Sequence, residues 1–322
     1  MKKMATLWLS SIVLLSACSS VEISPTPTLE PTAVPTSTTM PTPFPMTEIV
    51  LSDDPLNAPY GIAVNSLGNL YVNDAGNNRV LIFDANGKLL LKWDKQGSGD
   101  GEFKTLGFGT LAIDSNDNVF VVDNGNSRIQ KFDKDGNFIL QWGSQGKEDG
   151  EFIRAIGIAI DKDGNVYVTD DGNPYVQKFD NNGNFLMKFG GEGEDDGQFS
   201  HATGIDVDTQ GNIFVADYEN KRVQKFDATG TFVTGWQMGA DVGVKGIPEA
   251  IAVDAQGNVY ISDYVLGRIQ VFDNDGNFLW AIGGKMIPEN PFKEPTGIAF
   301  GADGRLYVVN QGRNSISVFQ LP

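Results

Sequence analysis

One short apolar motif recurs six times between residues 61 and 300, and this repetition limits the folds that the chain can adopt. The third copy reads Gly157-Ile158-Ala159-Ile160-Asp161. Successive copies are 49, 47, 47, 46 and 47 residues apart. A regular period of this length is typical of repeat architectures, in which each copy forms one unit that packs on its neighbours. The other copies begin at Gly61, Thr110, Gly204, Ala250 and Gly297.

Each complete copy contains four short runs of β-forming residues, separated by clusters of Gly, Asn and Asp. In the third copy these runs cover residues 158–160, 166–168, 176–179 and 185–189. Such spacing predicts a four-stranded antiparallel meander. One small sheet cannot bury both of its faces, whereas six sheets arranged radially can. The sequence therefore predicts an all-β fold, a six-bladed β-propeller over residues 48–322.

The two ends of the repeat region are predicted to share a blade. The sixth copy stops at Ser317-Val318-Phe319 and lacks a fourth strand. The segment Glu48-Ile49-Val50-Leu51 precedes the first complete copy and has no blade of its own. We expect this segment to complete the last blade, because pairing the two ends closes the ring and removes two exposed sheet edges.

The repeat resembles the NHL repeat, most clearly in the fourth copy, which contains Phe199, Gly204, Asp208, Asp217 and the run Arg222-Val223-Gln224-Lys225-Phe226-Asp227. The resemblance extends over about residues 48–322. NHL relatives include sensor domains of bacterial receptor kinases and domains that bind protein or RNA, so the resemblance implies a binding or scaffold function. Similar six-bladed folds also include the peptide-amidating lyase and calcium-dependent lactonases. The lyase resemblance implies zinc held by several histidines, and this chain has one, His201.

The first 47 residues are predicted to be a lipoprotein signal and a tether. A basic start and an apolar stretch end in Leu15-Ser16-Ala17-Cys18, which resembles the bacterial lipoprotein signal. Residues 1–17 would then be removed and Cys18 lipidated, holding the protein at the outer face of a bacterial membrane. The alternative is a plain signal peptide with an incidental cysteine. Residues 19–47 contain seven prolines and eight threonines, which predicts an extended linker.

Charge and rare residues exclude several classes of function. The net charge of −17 disfavours nucleic acid and anionic lipid as partners, so membrane attachment is expected through the lipid anchor only. A single cysteine excludes an internal disulfide and a thiolate zinc cluster. We expect a monomer without a cofactor and assign no catalytic or metal-binding residue.

Three Asp-x-Asp-Gly-Asn runs, at 133–137, 161–165 and 273–277, match the start of a calcium-binding EF-hand loop. That loop also needs an acidic residue at position twelve, where this chain has Ser144, Gly172 and Gly284. Hairpin turns are therefore favoured, and calcium remains possible without a supporting motif. The recurrent Asp and Arg residues around the second turn, and the Trp residues that end the fourth strands, are interpreted as structural because nearly every copy has them.

Candidate ligand-binding residues are those that differ between copies in loops expected to surround one end of the central channel. Aromatic, acidic and basic side chains mixed in this way favour a site for a small molecule, peptide or protein. The alternative function is a calcium-dependent lactonase or related hydrolase, for which Asn124, Asp171, Glu249 and Glu294 are conceivable ligands. The candidates are Tyr60, Asn124, Arg154, Asp171, His201, Tyr218, Glu249, Tyr264 and Glu294.

Overall fold

The computed structural model describes residues 46–49, 54–284 and 290–321. Within these ranges no helix is long and apolar enough to cross a membrane. The described residues form 24 strands and four single-turn 3-10 helices, Ala75–Asn77, Asn124–Asn126, Ala240–Val242 and Gln311–Arg313. The strands of blades 1 to 3 are β2 (Ile62–Val64), β3 (Leu70–Asp74), β4 (Arg79–Phe83), β5 (Leu89–Trp93), β6 (Leu111–Ile113), β7 (Val119–Asp123), β8 (Arg128–Phe132), β9 (Phe138–Trp142), β10 (Ala155–Ile160), β11 (Val166–Asp170), β12 (Tyr175–Phe179) and β13 (Phe185–Gly190). The strands of blades 4 to 6 are β14 (Ala202–Val207), β15 (Ile213–Asp217), β16 (Arg222–Phe226), β17 (Phe232–Gln237), β18 (Pro248–Val253), β19 (Val259–Asp263), β20 (Arg268–Phe272), β21 (Phe278–Gly283), β22 (Pro295–Phe300), β23 (Arg305–Asn310), β24 (Ser315–Gln320) and β1 (Met46–Ile49).

These strands form six separate four-stranded antiparallel sheets, which confirms the predicted six-bladed propeller. The first strand of each blade contacts the first strand of the next around the whole ring, so β2, β6, β10, β14, β18 and β22 surround the central channel. The order within blades 1 to 5 is sequential from the channel outwards.

The sixth blade confirms the predicted closure of the ring. Its strand order is β1-β24-β23-β22, with Met46 opposite Phe319 and Ile49 opposite Ile316. The N-terminal strand begins at Met46, two residues before the predicted start of the propeller. Val50 and Leu51, which were expected to continue this strand, lie outside the described residues, as do the signal and Cys18.

Aromatic side chains join neighbouring blades, as expected for residues that recur in most copies. Trp93 at the end of β5 stacks on Phe132 of blade 2, with ring centroids 4.7 Å apart. Trp142 and Trp236 contact the next blades with tilted rings, at 5.7 Å from Phe179 and 5.7 Å from Phe272. The hydrophobic core is therefore divided among the interfaces between blades.

The three Asp-x-Asp-Gly-Asn runs form hairpin turns. In the first of them the Oδ1 atom of Asp133 accepts hydrogen bonds from the backbone N–H groups of Asp135 and Asn137, both at 2.8–2.9 Å. Gly136 adopts a φ of 87°, a left-handed conformation that favours glycine. Asp161 and Asp273 accept the equivalent bonds in the other two runs. The first carboxylate of each run is thus used to hold its own turn.

Candidate functional site

A cavity of about 330 Å³ opens at one mouth of the central channel. Its wall combines aromatic, acidic and basic side chains from inner strands, from the loops that precede them and from the loops that follow second strands. The lining residues are Tyr60, Phe108, Arg154, Ile156, Asp171, His201, Thr203, Tyr218, Glu219, Glu249, Tyr264 and Gln311.

Irregularities in the inner strands position the deepest lining residues. In β10, β14 and β18 the pairing with the second strand shifts register, which leaves a bulge of two residues in each. Ile156, Thr203 and Glu249 each occupy the first position of such a bulge. A bulge redirects a side chain that regular pleating would point elsewhere. The three side chains can therefore line the same cavity from three blades.

The recurrent Asp residues hold the loops that precede these strands. Both carboxylate oxygens of Asp170 accept backbone hydrogen bonds, from Ile153 at 2.7 Å and from Arg154 at 2.8 Å. Asp217 accepts one from Ser200 at 3.0 Å in the next blade. These acids are structural, as predicted, and they also fix the backbone next to Arg154 and His201.

Glu249 and Tyr60 form a buried pair at the bottom of the cavity. Their relative exposures are 8% and 5%, and the Tyr60 hydroxyl donates a hydrogen bond to Oε1 of Glu249. Burial raises the pKa of Glu249 to about 7, although the Tyr60 hydrogen bond opposes the shift. Burial and the Glu249 charge raise the pKa of Tyr60 well above its usual value, so the phenol remains a donor.

A chain of ionisable groups crosses the wall between blades 3 and 4. Arg154 forms an ion pair with Oδ2 of Asp171, and Nε2 of His201 lies 3.3 Å from Oδ1 of the same carboxylate. Oδ1 is buried and accepts no hydrogen bond among the described residues. Nδ1 of His201 lies 3.7 Å from Oε1 of Glu219. The arginine charge is thus largely compensated within this wall.

Aromatic rings and one hydroxyl complete the lining. Phe108 is 55% exposed and meets the Tyr60 ring edge-on, with centroids 5.3 Å apart. Burial is the main cause of the raised pKa values of Tyr218 and Tyr264, and the Glu249 charge adds to both. The Thr203 hydroxyl is buried and has no hydrogen-bond partner among the described residues.

Seven of the nine candidate residues line this cavity, and Asn124 and Glu294 do not. The Asn124 side chain instead donates a hydrogen bond to the carbonyl of Ala155 at 2.9 Å. The backbone carbonyl of Glu294 accepts one from Gln311 at 3.2 Å. Sequence comparison of the copies missed Phe108, Ile156, Thr203 and Glu219. The positions of Ile156 and Thr203, directly before a motif glycine as Tyr60 is, were a usable signal.

No group of three or more His, Cys, Asp or Glu side chains suited to a metal ion occurs within residues 46–49, 54–284 and 290–321. The residues proposed as lactonase ligands are divided between different surroundings. Asp171 and Glu249 line the cavity, whereas Asn124 and Glu294 do not. The four proposed ligands are thus not brought together at one point of the channel mouth.

Family models agree with the repeat and with the fold. Residues 56–83 and 199–226 match the NHL repeat, and residues 109–178 match a family described as a 6-bladed beta-propeller. No curated protein sequence matches the chain significantly.

Solved structures with the same fold include several propellers of low sequence identity. Virginiamycin B lyase from Staphylococcus aureus is 14% identical with a TM-score of 0.60, covering 87% of this chain and 100% of that one. A gluconolactonase from Xanthomonas campestris is 18% identical with a TM-score of 0.61, covering 86% and 89%. Regucalcin from Agrobacterium tumefaciens, described as a calcium-binding protein, is 16% identical with a TM-score of 0.61, covering 88% and 96%. At these identities the likeness concerns the fold alone.

The fold and the cavity define a six-bladed β-propeller with a pocket of aromatic, acidic and basic residues at the mouth of its channel. More particularly, it is a propeller that contains NHL repeats.

Proposed function

We propose that this chain is a membrane-anchored, extracytoplasmic binding propeller that recognises a small ligand, or an exposed group of a peptide or protein, in the cavity at the channel mouth. The observation that carries this proposal is the convergence of seven non-repeating side chains on one cavity. Residues that vary among structurally equivalent copies are not needed by the blade itself. Their meeting in one concave, partly aromatic site is what a binding function requires.

The size of the cavity supports a small ligand. A volume of about 330 Å³ lies at the lower end of the range for ligand pockets. Buried polar atoms without partners, such as Oγ1 of Thr203, gain from a ligand that supplies a hydrogen bond.

A thermal-shift screen of the full chain against small metabolites tests this function. We expect compounds that raise the melting temperature of the wild type and have no effect on a Tyr218→Ala/Tyr264→Ala double variant. Tyr175→Ala removes a tyrosine that does not line the cavity and serves as the matched control. Stabilisation that persists in the double variant would place the binding site elsewhere.

The proposed location depends on Cys18, in a segment outside the described residues. Its support is the lipoprotein-like run Leu15-Ser16-Ala17-Cys18. Mass spectrometry of the mature protein should find acyl chains on Cys18, and Cys18→Ser should release the protein from the membrane fraction. A mature N-terminus at another residue, without acyl chains, would show that the segment is a plain signal peptide.

A hydrolase of the lactonase type is the second candidate, favoured by Glu249. Burial raises the pKa of this carboxyl group to about 7. A carboxyl group with such a pKa suits general acid–base catalysis near neutral pH. Hydrolysis of a panel of lactones, with and without calcium, should be abolished by Glu249→Gln if this candidate is correct. If the wild type hydrolyses no lactone faster than the uncatalysed rate, the hydrolase candidate is wrong.

A further inference from the structure

Glu249 is a buried acid without a cationic partner in the described structure. One of its oxygens accepts the Tyr60 hydroxyl, and within residues 46–49, 54–284 and 290–321 the carboxylate forms no ion pair. A buried carboxylate is costly unless an opposite charge and hydrogen bonds compensate it. The side chain lines the cavity, so a bound cation can supply the missing charge.

The other charges around the cavity also favour a cation. The lining contains one arginine against three carboxylates, those of Asp171, Glu219 and Glu249. Arg154 is engaged by Asp171, so the positive group available to an anionic ligand is already paired. The chain as a whole carries a net charge of −17, which attracts cations towards the surface.

Aromatic rings stand next to this acid. Tyr60 and Phe108 meet edge-on, and Tyr218 and Tyr264 line the same cavity. After burial, the Glu249 charge contributes to the raised pKa values of both Tyr218 and Tyr264. Aromatic faces attract cations through their quadrupoles, and substituted ammonium groups are the ligands that such walls recognise.

We propose that the cavity binds a small organic cation with a substituted ammonium group, which Glu249 neutralises and which the rings of Tyr218 and Tyr264 contact. This inference rests on the proposed binding function and specifies its ligand class. The buried Thr203 hydroxyl, unpartnered among the described residues, provides a hydrogen bond to a polar group on the same ligand. Among the described residues no three His, Cys, Asp or Glu side chains are grouped to hold a metal ion, so a bare divalent cation does not fit this wall.

Calorimetric titration of the full chain with choline at pH 8.5 tests the inference, because at that pH the Glu249 carboxyl is ionised. The uncharged isostere 3,3-dimethyl-1-butanol has the same shape without the charge. We expect choline to bind at least about tenfold more tightly than the isostere. Equal affinities, or no binding of choline, would overturn the inference.

Four variants locate the interaction. Glu249→Gln should weaken choline binding at least about tenfold and leave the isostere nearly unchanged. Asp275→Asn removes an equal charge from an exposed hairpin outside the cavity and should have no effect. Tyr264→Phe should retain binding, whereas Tyr264→Leu should lose about threefold to tenfold, which separates the aromatic face from the filled volume. Unchanged choline affinity in Glu249→Gln contradicts the role of that acid.

Failure of the ligand class is distinguishable from failure of the proposed function. If an anion such as benzoate, or the neutral isostere, binds more tightly than choline and is lost in Tyr218→Ala/Tyr264→Ala, the cavity is a binding site and the cation is wrong. If calcium alone stabilises the wild type and choline does not, the ligand is a metal ion and the inference also falls.

Discussion

The hydroxyl of Tyr60 donates a hydrogen bond to Oε1 of Glu249 and so joins blade 1 to blade 5 across the mouth of the channel. Blade 6, which contains the two ends of the repeat region, lies between them in the ring. The pair therefore links the candidate site to the closure of the fold. Each residue directly precedes the first residue of the apolar motif in its copy, Gly61 and Ala250. At this equivalent position one copy has a phenol and the other a carboxyl group.

Glu249 makes the stability of the propeller depend on pH. Burial raises the pKa of this carboxyl from 4.5 to about 7, so the folded state binds the proton more tightly than the unfolded state. Protonated Glu249 therefore increases the free energy of unfolding, by an amount on the order of 3 kcal/mol. This contribution is complete below about pH 4.5 and is lost as the pH rises through 7. Urea unfolding at pH 5.5 and pH 8 should show a smaller pH difference in Glu249→Gln than in the wild type.

The control for this measurement is Asp275→Asn, which should keep the wild-type pH difference. Burial also raises the pKa of Asp206, to about 6. Asp206 therefore adds a pH dependence of stability with the same sign, which remains in Glu249→Gln. A Glu249→Gln variant with the full wild-type difference would contradict the buried, protonated state of Glu249 near pH 6.

Arg128 holds the loop between blades 1 and 2, and lysine should not replace it. Its guanidinium group pairs with Asp123 at 2.8 Å and donates to the carbonyls of Ser98, Gly99 and Glu102 at 2.7–2.9 Å. A single ammonium group cannot reproduce this planar set of bonds. We expect Arg128→Lys to lower the free energy of unfolding by about 2–4 kcal/mol.

Arg305→Lys is the matched control for that substitution. Arg305 pairs with the exposed carboxylate of Asp303, and exposed pairs contribute little, so a change within about 0.5 kcal/mol is expected. Equal losses in the two variants would show that the loop carbonyls do not need Arg128.

Sequence repetition predicted the fold well because the same packing problem is solved six times. The motif glycine, the small apolar run and the Asp that ends the second strand recur because the packing of each blade requires them. The site is recognised by departures from the repeat, and that criterion was applied only to loops. It missed Thr203, which directly precedes a motif glycine as Tyr60 does and occupies the first position of a bulge in β14. Bulge geometry and distances between blades depend on tertiary packing, which the copies do not reveal.

The N-terminal strand β1 should be required for the stability of the whole ring. Its four residues pair with β24, and Ile49 packs against the core between blades 6 and 1. Deletion of residues 46–49 leaves β24 as an unpaired edge, which favours association with other chains. We expect a melting temperature lower by about 5 °C or more, together with oligomers in size-exclusion chromatography.

Deletion of residues 34–37, an equal length of the predicted linker, is the control and should leave both properties unchanged. An unaltered melting temperature after removal of residues 46–49 would show that ring closure does not depend on this strand.

Gly204 should be irreplaceable because the backbone of the next blade approaches it closely. A Cβ atom at this position would lie 2.5 Å from the carbonyl oxygen of Glu249 and 2.6 Å from Cα of Ala250. Both contacts are with backbone, which cannot move aside as a flexible side chain can. We expect Gly204→Ala to destabilise the protein by about 2 kcal/mol or more and to weaken ligand binding, since the displaced strand carries Glu249. Gly304→Ala provides the comparison, because Gly304 has open space around it and a φ of 76°, so only backbone strain of about 1 kcal/mol is added. Denaturant unfolding of the two variants ranks these costs, and a Gly204→Ala loss no larger than that of Gly304→Ala would mean that the inner strands can separate without penalty.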